Sequence, residues 1–69
     1  MTLKFNARLY SKRAVQDAVR VYKRFARLKV RETRSAIYVD IDKPRRGVEA
    51  SLPGEFGNYV LVATRDLLP

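Results

Sequence analysis

The 69-residue chain contains no cysteine, no histidine and no tryptophan. Without thiolates and imidazoles, disulfide bonds and the usual zinc sites are excluded. The same absences remove the commonest general base and the thiol nucleophile, so we expect neither an enzyme nor a bound cofactor. The apolar run at residues 59–62 is far short of a membrane span, and residues 1–6 lack the features of a secretion signal. The sequence therefore predicts a soluble, cytoplasmic protein with no membrane partner.

Charge of one sign dominates the first half of the chain. Fifteen Lys and Arg residues stand against seven Asp and Glu residues, a net charge of +8. Residues 1–34 hold eleven basic and two acidic side chains, whereas residues 35–69 hold four and five. A field concentrated in this way attracts acidic partners, either nucleic acid, an anionic surface or an acidic protein. Charge alone does not choose among them.

Two periodicities divide the first part of the chain into a strand and a helix. Apolar residues alternate with polar ones from Leu3 to Leu9, which predicts a strand over residues 2–10 with one buried face. Ser11 suits an N-cap, and the apolar spacing changes there to the helical period. We expect this helix to end at about Ala26 or Arg27. Its apolar side comprises Val15, Ala18, Tyr22 and Phe25.

The rest of the chain predicts two more strands and a second helix. Strands are expected over residues 28–33 and 37–41, joined by a loop of about four residues. Residues 42–54 are rich in turn formers and predict a long loop, in which residues 48–52 are a weak candidate for a further short strand. Residues 55–68 place apolar side chains at helical spacing, although Gly57 weakens that helix locally.

These elements predict one small α+β domain spanning residues 1–69. Each strand has one apolar face and each helix one apolar stripe, so both helices should cover one face of a three-stranded mixed sheet in a two-layer sandwich. The order is β-α-β-β-α. We expect the third strand to lie between the first two and antiparallel to both, as in part of a ferredoxin-like fold.

The uncovered face of this sheet is the first candidate site. Alternation places two tyrosines and several basic residues there: Lys4, Arg8, Tyr10, Lys29, Arg31 and Tyr38. Aromatic rings among cations are typical of surfaces that bind single-stranded nucleic acid. Long charged stems and tyrosines also cover ordinary outer sheet faces, or pack them against a second copy of the chain. The pattern does not distinguish these interpretations.

The first helix carries a second candidate site opposite its apolar side. Arginines recur along that side with almost no acidic interruption, at Arg13, Arg20, Arg24 and Arg27. Such a stripe suits a phosphate backbone or an acidic peptide, but a charged helix face is often only solvated.

Several segments together resemble a known small family. They are residues 9–11, residues 14–18 leading to Tyr22 and Phe25, residues 37–39, and residues 55–61 with Arg65 and Asp66. This pattern resembles the D component of the His-Xaa-Ser peptide-maturation system, a short protein encoded beside radical-SAM maturases. The resemblance implies a non-enzymatic accessory role that brings a precursor peptide or a partner protein to a modifying enzyme. Under it, Tyr10, Asn58 and Arg65 are candidate contact residues, and no catalytic residue is carried over.

The sequence thus leads to one functional expectation and one alternative. We expect a non-catalytic interaction module that docks a protein or peptide through the outer sheet face or an exposed strand edge. The alternative is a basic nucleic-acid-binding domain that uses the same half of the chain. A third alternative is a homodimer, in which the protein associates with a second copy of itself.

Overall fold

Five elements follow one another in the computed structural model, which describes residues 1–67. They are β1 (Thr2–Asn6), α1 (Lys12–Tyr22), β2 (Arg27–Glu32), β3 (Ala36–Asp42) and α2 (Leu52–Asp66). This succession confirms the predicted β-α-β-β-α order and the α+β class.

The three strands form an open sheet in the order β1-β3-β2. Strand β3 pairs antiparallel with both neighbours, which confirms the predicted insertion of the third strand between the first two. Because β1 and β2 are parallel to each other but do not touch, the sheet is antiparallel rather than mixed. The loop between β2 and β3 has three residues, 33–35, one fewer than expected, and the amide of Thr33 donates to the carbonyl of Ala36 across it.

Both helices contribute to a single core on one face of the sheet. The buried residues from the strands and helices include Phe5, Val15, Ala18, Ile37, Val39, Leu52, Phe56 and Val60. Tyr22 and Tyr59 pack against this core with their rings 5.8 Å apart, and Tyr22 lies at the same distance from the ring of Phe56. The strand and helix apolar sides therefore meet in one interior, as the periodicities predicted.

The start of α1 is fixed to the end of α2. The hydroxyl of Ser11 accepts from the amide of Ala14 at 3.4 Å, which confirms Ser11 as the N-cap. The amide of Ser11 in turn donates to the hydroxyl of Thr64 at 3.1 Å. Since the other end of α1 packs its Tyr22 on Phe56, the two helices run antiparallel.

Strand β1 is shorter than the alternation predicted. It ends at Asn6, whose side-chain oxygen accepts from the amide of Arg8 at 2.8 Å, while its carbonyl accepts from the amides of Leu9 and Tyr10. An asparagine that bonds its own following backbone makes a turn. The predicted extension over residues 7–10 is therefore wrong, because a local turn replaces the ladder.

Helix α1 also ends earlier than predicted, at Tyr22. The amide of Phe25 bonds the carbonyl of Tyr22 in a turn that carries the chain back to the sheet. Ala26 is buried and Phe25 half-buried in the same core, but they reach it from this turn. Phe25 and Ala26 keep the apolar spacing of the helix, so the sequence pattern continues past the residue at which the helix ends.

Helix α2 begins before the predicted position. Leu52, Pro53 and Gly54 form its first turn, where proline is favoured because its φ is already helical and its missing amide proton is not needed. The weak strand prediction over residues 48–52 is wrong, since residues 46–51 form turns. Leu68, the last residue of the predicted helix, lies outside the described residues.

Candidate docking surface on the open sheet face

The face of the sheet opposite the helices, here called the outer sheet face, is made by the alternate residues of all three strands. In register, Thr2 lies opposite Asp40 and Asp40 opposite Lys29, while Lys4 lies opposite Tyr38 and Tyr38 opposite Arg31. Directly opposed residues point to the same side of a sheet. The outer sheet face therefore comprises Thr2, Lys4, Asn6, Arg27, Lys29, Arg31, Ala36, Tyr38, Asp40 and Asp42.

Tyr38 stands at the centre of this face between two cations. The Lys4 ammonium lies 6.0 Å from the centroid of its ring, and the Arg31 guanidinium lies 5.2 Å away. Cations at these distances are attracted to the ring quadrupole. The three side chains form one row across β1, β3 and β2, as the sequence predicted for Lys4, Arg31 and Tyr38.

Asp40 is held by two neighbours on the same face. Arg31 donates to both of its oxygens, at 2.8 Å and 3.0 Å, and the hydroxyl of Thr2 donates at 2.6 Å. The hydrogen bonds from Arg31 and then Thr2 lower the pKa of the Asp40 carboxyl from 3.8 to about 2. This carboxylate therefore stays charged across the physiological range and fixes the orientation of Arg31.

Three other cations of the outer sheet face have no such partner. Lys4, Arg27 and Lys29 are exposed, and none of them makes an ion pair within residues 1–67. Arg27 and Lys29 lie on β2 beside Arg31, so this strand carries three cations in a row along one side. The face as a whole holds four cations and two carboxylates, and its positive charge is concentrated at the β2 side.

Two residues predicted for this face lie elsewhere. Because β1 ends at Asn6, Arg8 and Tyr10 belong to the following turn. The Tyr10 ring packs edge-on against the ring of buried Phe5, with centroids 5.2 Å apart, so it faces the core. Arg8 is exposed at the end of the sheet. The outer sheet face consequently has one tyrosine instead of two.

The predicted arginine stripe is divided among three elements. Arg13 and Arg20 lie on exposed positions of α1, where Arg20 is 3.8 Å from the carboxylate of Asp17. Arg24 is in the turn after α1, with its guanidinium 5.8 Å from the ring of Phe25. Arg27 is the first residue of β2 and belongs to the outer sheet face. The continuous stripe is therefore wrong, because the helix stops before its last two members.

The edge position of β2 confirms the predicted strand order, which leaves β1 and β2 on the outside of the sheet. The amide of Thr33 donates to the carbonyl of Ala36, so these two residues form a hydrogen-bonded pair of the β2–β3 ladder. Arg31, Lys29 and Arg27 follow at every second position, and their backbone groups therefore also point toward β3. Antiparallel ladders alternate, so the backbone groups of Leu28, Val30 and Glu32 point away from the sheet. Val30 is also 38% exposed, although its alternation predicted a buried position. The structure adds that the inner face of this edge strand is incompletely covered.

The rest of the surface of residues 1–67 brings few candidate functional residues together. The candidate contacts Asn58 and Arg65 are exposed on α2, in the helix layer and apart from the outer sheet face. Within residues 1–67 no three potential metal ligands are gathered together, and neither helix is long and apolar enough to cross a membrane.

Comparisons with known proteins leave the resemblance to the D component of the His-Xaa-Ser system as a prediction. No family model, no curated protein and no solved structure matches this chain at a significant level.

Proposed function

We propose that this protein is a non-catalytic docking module that binds an acidic segment of a partner protein or peptide. The observation that supports this most is the uncovered outer sheet face, on which Lys4, Arg27 and Lys29 are exposed and make no ion pair with any residue from 1 to 67. Exposed charges that have no intramolecular partner steer and orient an oppositely charged molecule. Arg31 donates to both oxygens of Asp40, so its side chain is already oriented on this face before a partner binds.

An acidic protein segment suits this face better than nucleic acid does. Sequence-tolerant binding of single strands relies on several aromatic rings on which successive bases stack. Of the two tyrosines predicted for that purpose, only Tyr38 lies on the face, since Tyr10 packs on Phe5. Asp40 and Asp42 add negative charge that would oppose a continuous phosphate backbone. A peptide can instead space its carboxylates so that they lie beside the cations of the face and away from these two residues.

Nucleic-acid binding is nevertheless the second candidate, because one observation favours it. The ring of Tyr38 lies between Lys4 and Arg31, an arrangement that can stack one base and bind its flanking phosphates. This candidate predicts that Tyr38 contributes most of the affinity.

The resemblance described above adds a biological setting to the docking proposal. A small accessory domain without catalytic residues would hold a precursor peptide or partner protein while a separate enzyme modifies it. The outer sheet face and the sheet edges would then bind the precursor peptide or the partner protein.

The proposal is tested by titrating isotopically labelled protein with two ligands at low ionic strength. One is a Glu-rich peptide, and the other is single-stranded oligothymidylate. We expect the peptide to shift the amide resonances of β2 and β3, with an affinity that falls as salt is added, because surface charge attraction is screened. Absence of any shift with the peptide would overturn the docking proposal.

The variant Tyr38→Leu separates the two candidate functions. It removes the ring but no charge, so peptide affinity should change by less than about threefold if carboxylate attraction dominates. Binding of oligothymidylate that is tighter than that of the peptide and is lost in Tyr38→Leu would establish the nucleic-acid function instead, because stacking is worth about 1–3 kcal/mol per base.

A further inference from the structure

We infer that the free edge of β2 is where the partner docks, and that an extended partner segment pairs there as a fourth strand with alternating acidic and apolar residues. This inference rests on the proposed docking function and adds the place and the sequence pattern. Its starting point is the backbone of Leu28, Val30 and Glu32, whose amides and carbonyls face away from β3. Unpaired groups on an edge strand are a template for a further strand.

The cations of β2 favour acidic residues at alternate positions of the partner strand. Arg27, Lys29 and Arg31 stand on the outer sheet face at every second position of this strand. Side chains of an added strand would lie directly beside them on the same face, within reach of a cross-strand pair. Acidic residues at alternate positions of the partner complement this row, above all beside Arg27 and Lys29, because Arg31 is already paired with Asp40. Basic residues at those positions are repelled.

The inner face of β2 favours apolar residues at the other positions of the partner strand. Val30 is 38% exposed and Leu28 half-buried, while their opposite partners on β3, Val39 and Ile41, are buried in the core. A strand added beside β2 would therefore continue the apolar layer with its own inward side chains. Near the end of β2 this layer stops, because Glu32 there pairs with Lys12 of α1 at 2.7 Å. The apolar residues of the partner should thus lie opposite the first two-thirds of the strand.

A second copy of the chain does not suit this edge. Antiparallel pairing of β2 with itself would set Arg27, Lys29 and Arg31 beside the same residues of the other molecule, and like charges in direct opposition are destabilising. The edge is therefore protected from self-association while it stays open to an acidic strand.

The opposite edge of the sheet fits such a partner less well. On β1 the amides of Thr2, Lys4 and Asn6 face outward, because Met1 and Ile41 exchange backbone hydrogen bonds at 3.1 Å and 2.7 Å and the ladder alternates from there. The outer face of β1 carries one cation, Lys4, and its inner residue Phe5 is buried. Leu3 on the same inner face is half-buried, as Leu28 is on β2, so the β1 edge differs from the β2 edge in its charge: it offers no row of cations.

Two blocked peptides of equal composition test the inference. Both contain Glu and Val in equal number and are about six to eight residues long, the length of an ordinary strand. One alternates Glu with Val, and the other groups its Glu residues at one end. We expect the alternating peptide to bind at least about tenfold more tightly, because only it can satisfy both faces of β2 at once.

Amide hydrogen exchange locates the bound strand without any mutation. On binding of the alternating peptide, the amides of Leu28, Val30 and Glu32 should become protected, because they gain acceptors. The amides of Thr2, Lys4 and Asn6 on the opposite edge serve as the internal control and should exchange as before. Protection at the β1 edge, or equal affinity for the two peptides with no edge protection, would overturn this inference.

Two substitutions examine the backbone and the charge separately. Val30→Pro removes an outward-facing amide at an edge position where proline is tolerated, and should lower affinity at least about tenfold. Lys29→Glu should lower it by a similar factor, whereas Arg13→Glu makes the same change of net charge on α1, outside the row of β2 cations, and should have the smaller effect. An equal loss in Arg13→Glu would place the partner on α1 and contradict the inference.

These results separate the two proposals. If neither peptide binds at low salt, the docking function itself fails. If both bind through the outer sheet face without protecting the β2 amides, the docking function stands and the added strand is wrong.

Discussion

The two faces of the sheet are built from the same three strands but are maintained by different forces. On the inner face, Phe5, Ile37, Val39 and Ile41 are at most 6% exposed and lie beneath both helices. On the outer sheet face, the neighbouring residues Lys4, Tyr38 and Asp40 stay in contact with solvent. The inner face gains free energy from removing apolar area from water, and the outer one gains a little from the exposed pair of Arg31 and Asp40.

This difference indicates how stability and recognition are divided in a small domain. Packing contacts are numerous and cooperative, so the loss of one large side chain disturbs the whole core. Exposed ion pairs contribute little to folding, which leaves cations such as Lys29 free to meet a partner. Substitutions on the two faces should therefore affect different measurements.

The largest effect is expected from truncating the central aromatic residue of the core. Phe56 is fully buried, and its ring lies 6.1 Å from Phe5 and 5.8 Å from Tyr22. Phe56→Ala should lower the free energy of unfolding by about 3–5 kcal/mol. A core of this size supplies roughly that much, so the variant should be largely unfolded by circular dichroism at room temperature.

The matched control for this prediction is Tyr38→Ala on the outer sheet face. It removes an aromatic ring of similar size that is half-buried between Lys4 and Arg31, and should cost about 1 kcal/mol or less in a urea titration. Phe56→Leu, which keeps most of the volume, should remain folded and allow a graded comparison. Similar losses in Phe56→Leu and Tyr38→Ala would contradict the division between the two faces.

A smaller effect of opposite sign is expected in the helix that covers the inner face. Gly57 lies inside α2, and a Cβ placed on it would meet no atom within 4 Å. Gly57→Ala should therefore raise the free energy of unfolding by about 0.5–1 kcal/mol, since alanine loses less backbone entropy in a helix.

A second glycine serves as the control with the reverse expectation. Gly47 has a φ of +94°, a conformation that L side chains rarely adopt. Gly47→Ala should lower the free energy of unfolding by about 1–2 kcal/mol in the same titration. If Gly57→Ala also destabilises the protein, then packing along that side of α2 is tighter than the open space around Gly57 indicates.

The fold could be predicted from the sequence because its signals were periodic and consistent with one another. The alternation around Phe5 and Val39 and the helical spacing of Val15 and Tyr22 give the element order and the shared core. The element ends were less predictable. Asn6 ends β1 through its own side-chain hydrogen bond, and Phe25 enters the core from a turn, so neither boundary interrupts the apolar pattern.

The candidate site was only partly predictable for the same reason. Lys4, Lys29, Arg31 and Tyr38 were placed correctly because they lie within regular strands. Tyr10 was misplaced because a turn redirects its ring onto Phe5, and Arg27 because it lies past the helix end. The edge position of β2 followed from the predicted strand order, whereas the exposure of Val30 depends on how far the helices cover the sheet, which the sequence of the strand does not carry.

The smallest predicted effect concerns the best-bonded charge of the outer sheet face. Hydrogen bonds from Arg31 and Thr2 lower the pKa of Asp40 from 3.8 to about 2 in the folded protein. Because the folded pKa is lower than the unfolded one, this carboxylate stabilises the fold above about pH 4, and its contribution is lost as the pH falls toward 2. In urea titrations between pH 5 and about pH 2, Asp40→Asn should show a shallower decline in stability than the unmodified protein.

Asp42→Asn is the control, since Asp42 lies two residues further along the same face and makes no ion pair within residues 1–67, and it should retain the original decline. If Asp40→Asn and the unmodified protein lose stability in parallel, then solvent competes successfully for Arg31, and the outer sheet face is less ordered before a partner binds than its hydrogen bonds indicate.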